Sequence, residues 1–247
     1  MREIVNLKRN GKYELNLFYF NHATKRIPNQ WREGQPILGK HYSDNLISLL
    51  GKDRSPDETI NQFHKDIAAS VQLMYEEAFF NILNYFYKKY PQDNICIAGG
   101  CGANSVANGK ITTRTPFLKV FIQAAAGDAG GALGSAMAVW HDLSSKRIKP
   151  MGPSYLGQKF TDKNVSDFFL SKDIVNQLSN LNAKLLKLGD VTLKDEKSFL
   201  ELVVEFIEKG AVVGWFQGRM EWGPRALGHR SILGDPRRSD MKNILNL

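Results

Sequence analysis

The chain has 247 residues, 43% apolar and 23% charged, enough for one large domain or two modest ones with a real core. No stretch approaches the ~20 apolar residues that span a bilayer, and the opening MREIVNLKRNGKYEL lacks the apolar core of a secretory leader, so no membrane partner is expected and the cytoplasm is the expected location. The net charge of +8 suits anionic ligands, but its basic residues are scattered rather than striped with aromatics, which ranks a phosphorylated small molecule well above nucleic acid. In chain order, residues 3–8 and 12–17 flank Asn10-Gly11 and read as a hairpin with a tight two-residue turn. Residues 21–55, with Pro28, Pro36, Gly34, Gly39 and Gly51, read as irregular connections with short helical pieces.

Ser55-Pro56-Asp57-Glu58 carries the signals of a helix start, with a cap, a proline at the first position and an acid three residues on. Phe63, Ile67, Val71, Met74, Phe79, Ile82, Leu83 and Phe86 then recur at helical spacing as a core stripe, until Lys88, Lys89 and Pro91 end the helix. Residues 94–98 fit a strand ending in Gly99-Gly100, residues 103–112 a short helix, 119–123 a second strand and 129–142 a closely packed helix. This alternation predicts a mainly parallel sheet with ligands at the carboxyl ends of its strands.

Charge, proline and glycine mix over 145–160, placing a boundary there and giving domains 1–150 and 151–247. Helices are expected around 163–182 and 196–209, the latter capped by Gly210, followed by a buried strand over 212–217. The final MKNILNL reads as part of a helix. Cys96 and Cys101 are too few for a disulfide framework or a complete zinc site, and Cys96 is expected in the core. The histidines at 22, 41, 64, 141 and 229 form no pair at metal-ligand spacing.

Three segments are candidates for chemistry. Gly99-Gly100-Cys101-Gly102-Ala103-Asn104 is a glycine turn that either lets a nucleotide lie on bare backbone beside Asn104 or serves plain helix–sheet packing. In AAAGDAGGALG the lone acid Asp128 reads equally as a metal ligand and as a helix cap. Residues 212–233, VVGWFQGRMEWGPRALGHRSIL, end an apolar run in Gly218, Gly223 and Gly228 interleaved with Arg219, Arg225 and Arg230. Such a loop is either a solvated surface loop or an anion cradle; the apolar Trp215, Trp222 and Leu227 favour the cradle. Glu221 is expected to orient an arginine, and His229 to act as a structural donor.

IAGGCGANSVANGKI, AAAGDAGGALGSA and GWFQGRMEWGPRALGHRSILGDPR, in this order, resemble signatures of the O-carbamoyltransferase family of nodulation-type and antibiotic-pathway enzymes, and HKDIAASVQLMYEEA is similar to its long helix. The resemblance implies an α/β protein: the second half of an actin/hexokinase-like (ASKHA) domain, then the beginning of a YrdC-like domain. It also implies transfer of a carbamoyl group from carbamoyl phosphate, through an ATP-derived carbamoyl-adenylate, to a hydroxyl-bearing small molecule. On this basis Arg225 would bind the donor with Arg219 and Arg230 supporting it. Gly99, Gly100 and Asn104, with Gly127 and Gly130, would line the nucleotide site. Asp128 would hold a divalent metal, iron by family analogy.

The departures from the family pattern are specific. The family's upstream histidine pair (H-x-x-x-H) and downstream basic stretch have no counterpart here, and Ala124, Trp222 and His229 stand where proline, phenylalanine and asparagine are usual. The chain is therefore expected to be an internal fragment, inactive alone, unless a homo-oligomer or complementing chains supply the rest. A non-catalytic nucleotide- or anion-binding remnant is the rival reading, and a tRNA-threonylcarbamoylation role a weaker one.

Overall fold

A computed structural model describes residues 1–147, 152–180, 183–186 and 195–246. Its contacts divide the chain into two units, Met1–Ile122 and Gln123–Leu247. Both mix helices and strands, as an α/β protein should.

The first unit opens with the expected hairpin, β1 (Val5–Leu7) against β2 (Tyr13–Leu15), in register Val5↔Leu15. The amide of Lys8 donates to the carbonyl of Lys12, so the connection is a three-residue loop rather than a two-residue turn. Gly11, at φ +74°, packs so tightly on Tyr85 that an added Cβ would lie 2.6 Å from the tyrosine Cβ. Residues 21–55 hold a second hairpin that the sequence hid: β3 (Asn29–Arg32) pairs with β4 (Gln35–Leu38). Its two-residue turn places Glu33 and Gly34 at φ +50° and +78°, and a glutamate there carries none of the usual Asn-Gly signal. Helix α1 (Asp44–Leu50) follows.

The long helix α2 spans Gln62–Lys89 and begins seven residues after Ser55. Ser55 and Glu58 do form a turn, but the Arg54 guanidinium takes the carbonyls of Ser55, Pro56 and Glu58 and the turn does not propagate. The cap is instead Asn61, whose side chain accepts from the His64 amide while the His64 ring accepts from the Asn61 amide. Only part of the apolar stripe is core: Met74 and Leu83 are buried, joined by Phe80 from outside the stripe, whereas Phe63, Val71 and Phe86 are about half exposed. The short elements of this unit cover only one stretch of so long a helix.

Strands β5 (Asn94–Ile97) and β6 (Lys119–Ile122) run parallel, as expected, in register Ile95↔Val120. They are the one parallel pair among the described strands, whose other pairings are all antiparallel, so a mainly parallel sheet does not form. Ile95, Ile97 and Val120 pack on the cluster Phe80, Leu83, Ile111 and Phe117. Alternation turns Cys96 to the opposite side, where it is exposed rather than part of the core. Residues 103–112 break at Gly109 into two single turns, α3 (Ser105–Asn108) and α4 (Ile111–Arg114).

The second unit begins with α5 (Asp128–Ser144). The helical stretch around 163–182 is two helices, α6 (Asp162–Phe169) and α7 (Lys172–Asn180), with Thr161 and Asn164 forming a capping box; residues 181 and 182 lie outside the described ones. Helix α8 (Glu196–Glu208) ends as expected at Gly210, which adopts φ +88°. Strand β7 (Val213–Phe216) is half-covered rather than buried: Trp215 faces Phe199 of α8, and Phe216 is exposed. It pairs antiparallel with β8 (Arg230–Leu233), a strand not expected from the sequence, and a short α9 (Met241–Ile244) follows. Among the described residues no helix is long and apolar enough to cross a membrane.

Candidate functional site

The glycine turn of the first unit is built from α2. Gly99 leaves β5 at φ +104°, and a 3-10 turn over Gly100–Ala103 carries the chain to Asn104. Asn104 caps α3 through the Ala107 amide and is paired, amide to amide, with Gln72. One turn of α2 further on, Glu76 accepts two 2.7 Å hydrogen bonds from Lys110, one from Gln72 and a longer one from Arg114. Glu76 is 3% exposed, and the Lys110 bond foremost, with Gln72, holds its carboxyl below the ordinary glutamate range. Tyr75 donates its hydroxyl to the Cys101 carbonyl. Gln72, Tyr75 and Glu76 thus form one face of α2, at i, i+3 and i+4, that fixes the turn. A Cβ at Gly99 or Gly100 would meet nothing within 4 Å, so the outer side of the turn is open.

In the second unit Asp128 is exposed in the first turn of α5. The cap position is Gly127 and no side chain caps this helix, so the capping reading of Asp128 is not realised. Gly130 has a packing role: an added Cβ would lie 2.1 Å from the Ala125 carbonyl oxygen. Among the described residues no group of three or more histidines, cysteines or acids gathers as a metal cluster.

The arginine segment is the connection between β7 and β8, and its three arginines do different work. Arg230 crosses back over its own strand pair, with its guanidinium carbon 3.4 Å above the Phe216 ring centre. It donates to the carbonyls of Gln217, His229 and Gly218. Arg219 donates Nε to the Gly157 carbonyl at 2.9 Å and bridges Lys159 through the backbone. Neighbouring bonds, Gly157 to Met220 and Trp222 to the Ser154 carbonyl, lay residues 154–159 alongside the loop. Arg225 is exposed, in the lobe between Gly223 at φ +123° and Gly228 at φ +98°. The loop therefore does not gather three guanidinium groups on one point; two of them hold its frame.

Glu221 does not orient an arginine side chain. Its Oε1 accepts three backbone amides, from Leu227 at 3.0 Å, His229 at 2.7 Å and Arg230 at 3.0 Å. Burial works to raise this carboxyl, but the backbone amide of Glu221 itself, together with those three amides, outweighs it and brings the pKa down to about 2. His229 behaves as the expected structural donor: its Nδ1 bonds the Arg219 carbonyl at 2.7 Å, and its ring stacks on Tyr155 at 3.5 Å. The Tyr155 hydroxyl closes the frame on the Leu227 carbonyl.

Two segments read separately in the sequence meet here. A Cβ added to Gly223 would lie 2.6 Å from the Ala124 carbonyl oxygen, so the arginine loop abuts the backbone that leads to Asp128. Glycines at 223 and 130 were visible as signals, but nothing in their spacing paired them with residues 124 and 125.

Residues 1–137 match the family model described as the carbamoyltransferase N-terminus, and residues 204–247 that of the carbamoyltransferase C-terminus. The chain is 39% identical to the uncharacterized protein sll1178 of Synechocystis sp. over 99% of its own length and 36% of that protein. It is 35% identical to the nodulation protein NolO of Bradyrhizobium diazoefficiens, over 75% of this chain and 31% of that one. Identity to the 3'-hydroxymethylcephem-O-carbamoyltransferase of Streptomyces clavuligerus is 27%, over 91% of this chain and 37% of that one. The chain thus spans about a third of the length of the curated relatives it matches. With the N-terminal match covering the glycine turn and Asp128, and the C-terminal match covering the whole arginine loop, this chain belongs to the carbamoyltransferase family.

Proposed function

We propose that the protein works in the transfer of a carbamoyl group from carbamoyl phosphate to a hydroxyl of a small molecule, with the arginine loop as the donor-binding element. The observation that carries this reading is the loop's construction: a lobe closed at its base by Glu221 and presenting Arg225 at an exposed position. A guanidinium offers two parallel N–H donors to phosphate oxygens and keeps its charge at any physiological pH. Charge-assisted bonds of this kind are worth about 1.5–3 kcal/mol each, and they strengthen as negative charge grows on the departing phosphate. Arg219 and Arg230 support the reading indirectly, as the braces of that loop.

ATP is proposed to bind at the glycine turn, where the open space outside Gly99 and Gly100 fits close approach of a nucleotide to the backbone. When bound it would supply the adenylyl group for a carbamoyl-adenylate, with pyrophosphate as the leaving group. Asn104, already held by Gln72, would line that site from its edge. Gly127 is proposed as a nucleotide contact on the resemblance alone, whereas Gly130 is explained by packing. A divalent metal fits less completely: Asp128 offers one carboxylate that is not used as a helix cap, and the described residues gather no cluster of metal ligands. The hydroxyl acceptor is suggested by the relative whose name gives a 3'-hydroxymethyl group as its target. The two-part reading, an actin/hexokinase-like half followed by a YrdC-like beginning, is proposed on the same basis.

Calorimetric titration of carbamoyl phosphate into the chain and into Arg225→Ala tests the central point. Loss of donor binding in the variant, with an unchanged thermal melt, is the expected result. Equal binding by both chains would remove the loop from the reaction.

A further inference from the structure

We infer that Glu221 is a positioning residue for donor capture: its carboxylate ties residues 227–230 to residue 221 and so sets the pose of the lobe that carries Arg225. The inference rests on the proposed role of the loop, and it assigns to this glutamate a function distinct from that of the arginines around it.

The geometry decides among the tasks open to a glutamate at this position. Pairing with Arg219 or Arg225 is the ordinary expectation for an acid between two arginines, yet Oε1 is taken by three backbone amides at 2.7–3.0 Å. A general base needs an accessible carboxylate that accepts protons near neutrality, and this one is held at about 2 by its own backbone amide and those same three. What remains is mechanical. The chain leaves Glu221, passes through Trp222, Gly223, Pro224, Arg225 and Ala226, and returns at Leu227 to a hydrogen bond with the residue it left.

Two positive-φ glycines, Gly223 and Gly228, sit at the shoulders of this closed lobe. Without the tie they are the residues freest to swing it, because glycine has the widest choice of backbone conformation. Tyr155 braces the returning limb through the Leu227 carbonyl and its stack on His229, and His229 crosses to the Arg219 carbonyl, but neither reaches residue 221. Gln217, His229 and Arg230 tie the two limbs lower down, at residues 217–219, and among the described residues the bond from the Leu227 amide to Glu221 closes the loop nearest to Arg225. A guanidinium held in one pose binds a phosphate without first losing the freedom of its backbone, so the tie contributes to affinity without touching the ligand.

The test uses the whole chain, with carbamoyl phosphate as the probe. Wild type, Glu221→Ala, Glu221→Gln and Arg225→Ala are compared by calorimetry and by tryptic cleavage at the Arg225–Ala226 bond, read by mass spectrometry, with thermal melts as the folding control. Glu221→Ala is expected to weaken donor binding by about tenfold or more and to expose that bond to trypsin. Glu221→Gln, which keeps an acceptor oxygen but loses the charge, is expected to restore part of both properties. Donor affinity and tryptic protection in Glu221→Ala equal to those of wild type would overturn the inference. Should Glu221→Ala fail to fold, Glu221→Gln decides: wild-type affinity overturns the inference, and weakened binding with a retained melt supports it. Unchanged binding in Arg225→Ala would instead strike the donor-binding reading itself, so the two failures are told apart.

Discussion

Gln72 and Asn104 are joined by two reciprocal amide hydrogen bonds, 2.9 Å from Asn104 Nδ2 to Gln72 Oε1 and 3.2 Å in the return direction. The pair links the middle of α2 to the end of the glycine turn, while Asn104 Oδ1 also accepts the Ala107 amide that starts α3. One side chain thereby caps a helix and anchors the turn.

Replacing Asn104 with alanine removes the cap and leaves the half-buried Gln72 amide unpaired on that side. A loss of about 1–2 kcal/mol is expected, read from the midpoint of urea unfolding. Asn104→Asp should retain more stability, because it keeps the capping oxygen, while losing the donation to Gln72.

Glu76 and Lys110 form an ion pair in which only the lysine reaches solvent, at 44% exposure against 4% for the glutamate side chain. Lys110→Met removes the main partner of a buried charge and should cost about 1–3 kcal/mol. The double variant Glu76→Met with Lys110→Met is expected to recover part of that loss, since no buried carboxylate is then left without its lysine. Thermal melts of the four chains give the coupling; simple additivity would contradict the pairing.

Glycine substitutions separate packing from open backbone. Gly223→Ala meets both a positive φ and the Ala124 carbonyl, and should destabilise the chain by more than about 1 kcal/mol. Gly131→Ala meets nothing within 4 Å and lies inside α5, where alanine is favoured over glycine by up to about 1 kcal/mol. Denaturant midpoints moving in opposite directions are the expected result.

Acid should act on the arginine loop through Glu221. Its carboxyl titrates at about 2 in the folded chain, below the ordinary 4.5, so the folded state binds the proton more weakly than the unfolded one. The resulting stabilisation is fully present above pH 4.5 and is lost as the pH falls toward 2. The difference in melting temperature between wild type and Glu221→Gln should therefore shrink across that interval, and a constant difference would show that the tie does not depend on charge.

The legible parts of this fold were those decided by neighbouring residues. Asn10-Gly11 gave the first hairpin, Gly210 the end of α8, and the alternating pattern over 94–123 the parallel pair β5 and β6. Misreadings arose where a distant partner decided. Arg54 took the carbonyls that would have propagated a helix from Ser55, and strand β8 was hidden because Arg230-Ser231 reads as loop until Phe216 receives the guanidinium. In the candidate site, the glycines and arginines were conspicuous by type, but their division of labour was not. Gln72 and Glu76 carry no signal of their own within a long helix, and only contacts more than 30 residues away give them their task.

The closeness of Gly223 to Ala124, and of Gly130 to Ala125, has a one-sided bearing on sequence drift. In each contact the partner is a main-chain carbonyl, which every amino acid carries, so exchanges at 124 or 125 leave the obstacle in place. Room for relief therefore exists only at the two glycines, and a side chain gained at either has no compensating exchange at its partner. Paired substitutions, the usual record of touching residues, should be missing from this junction.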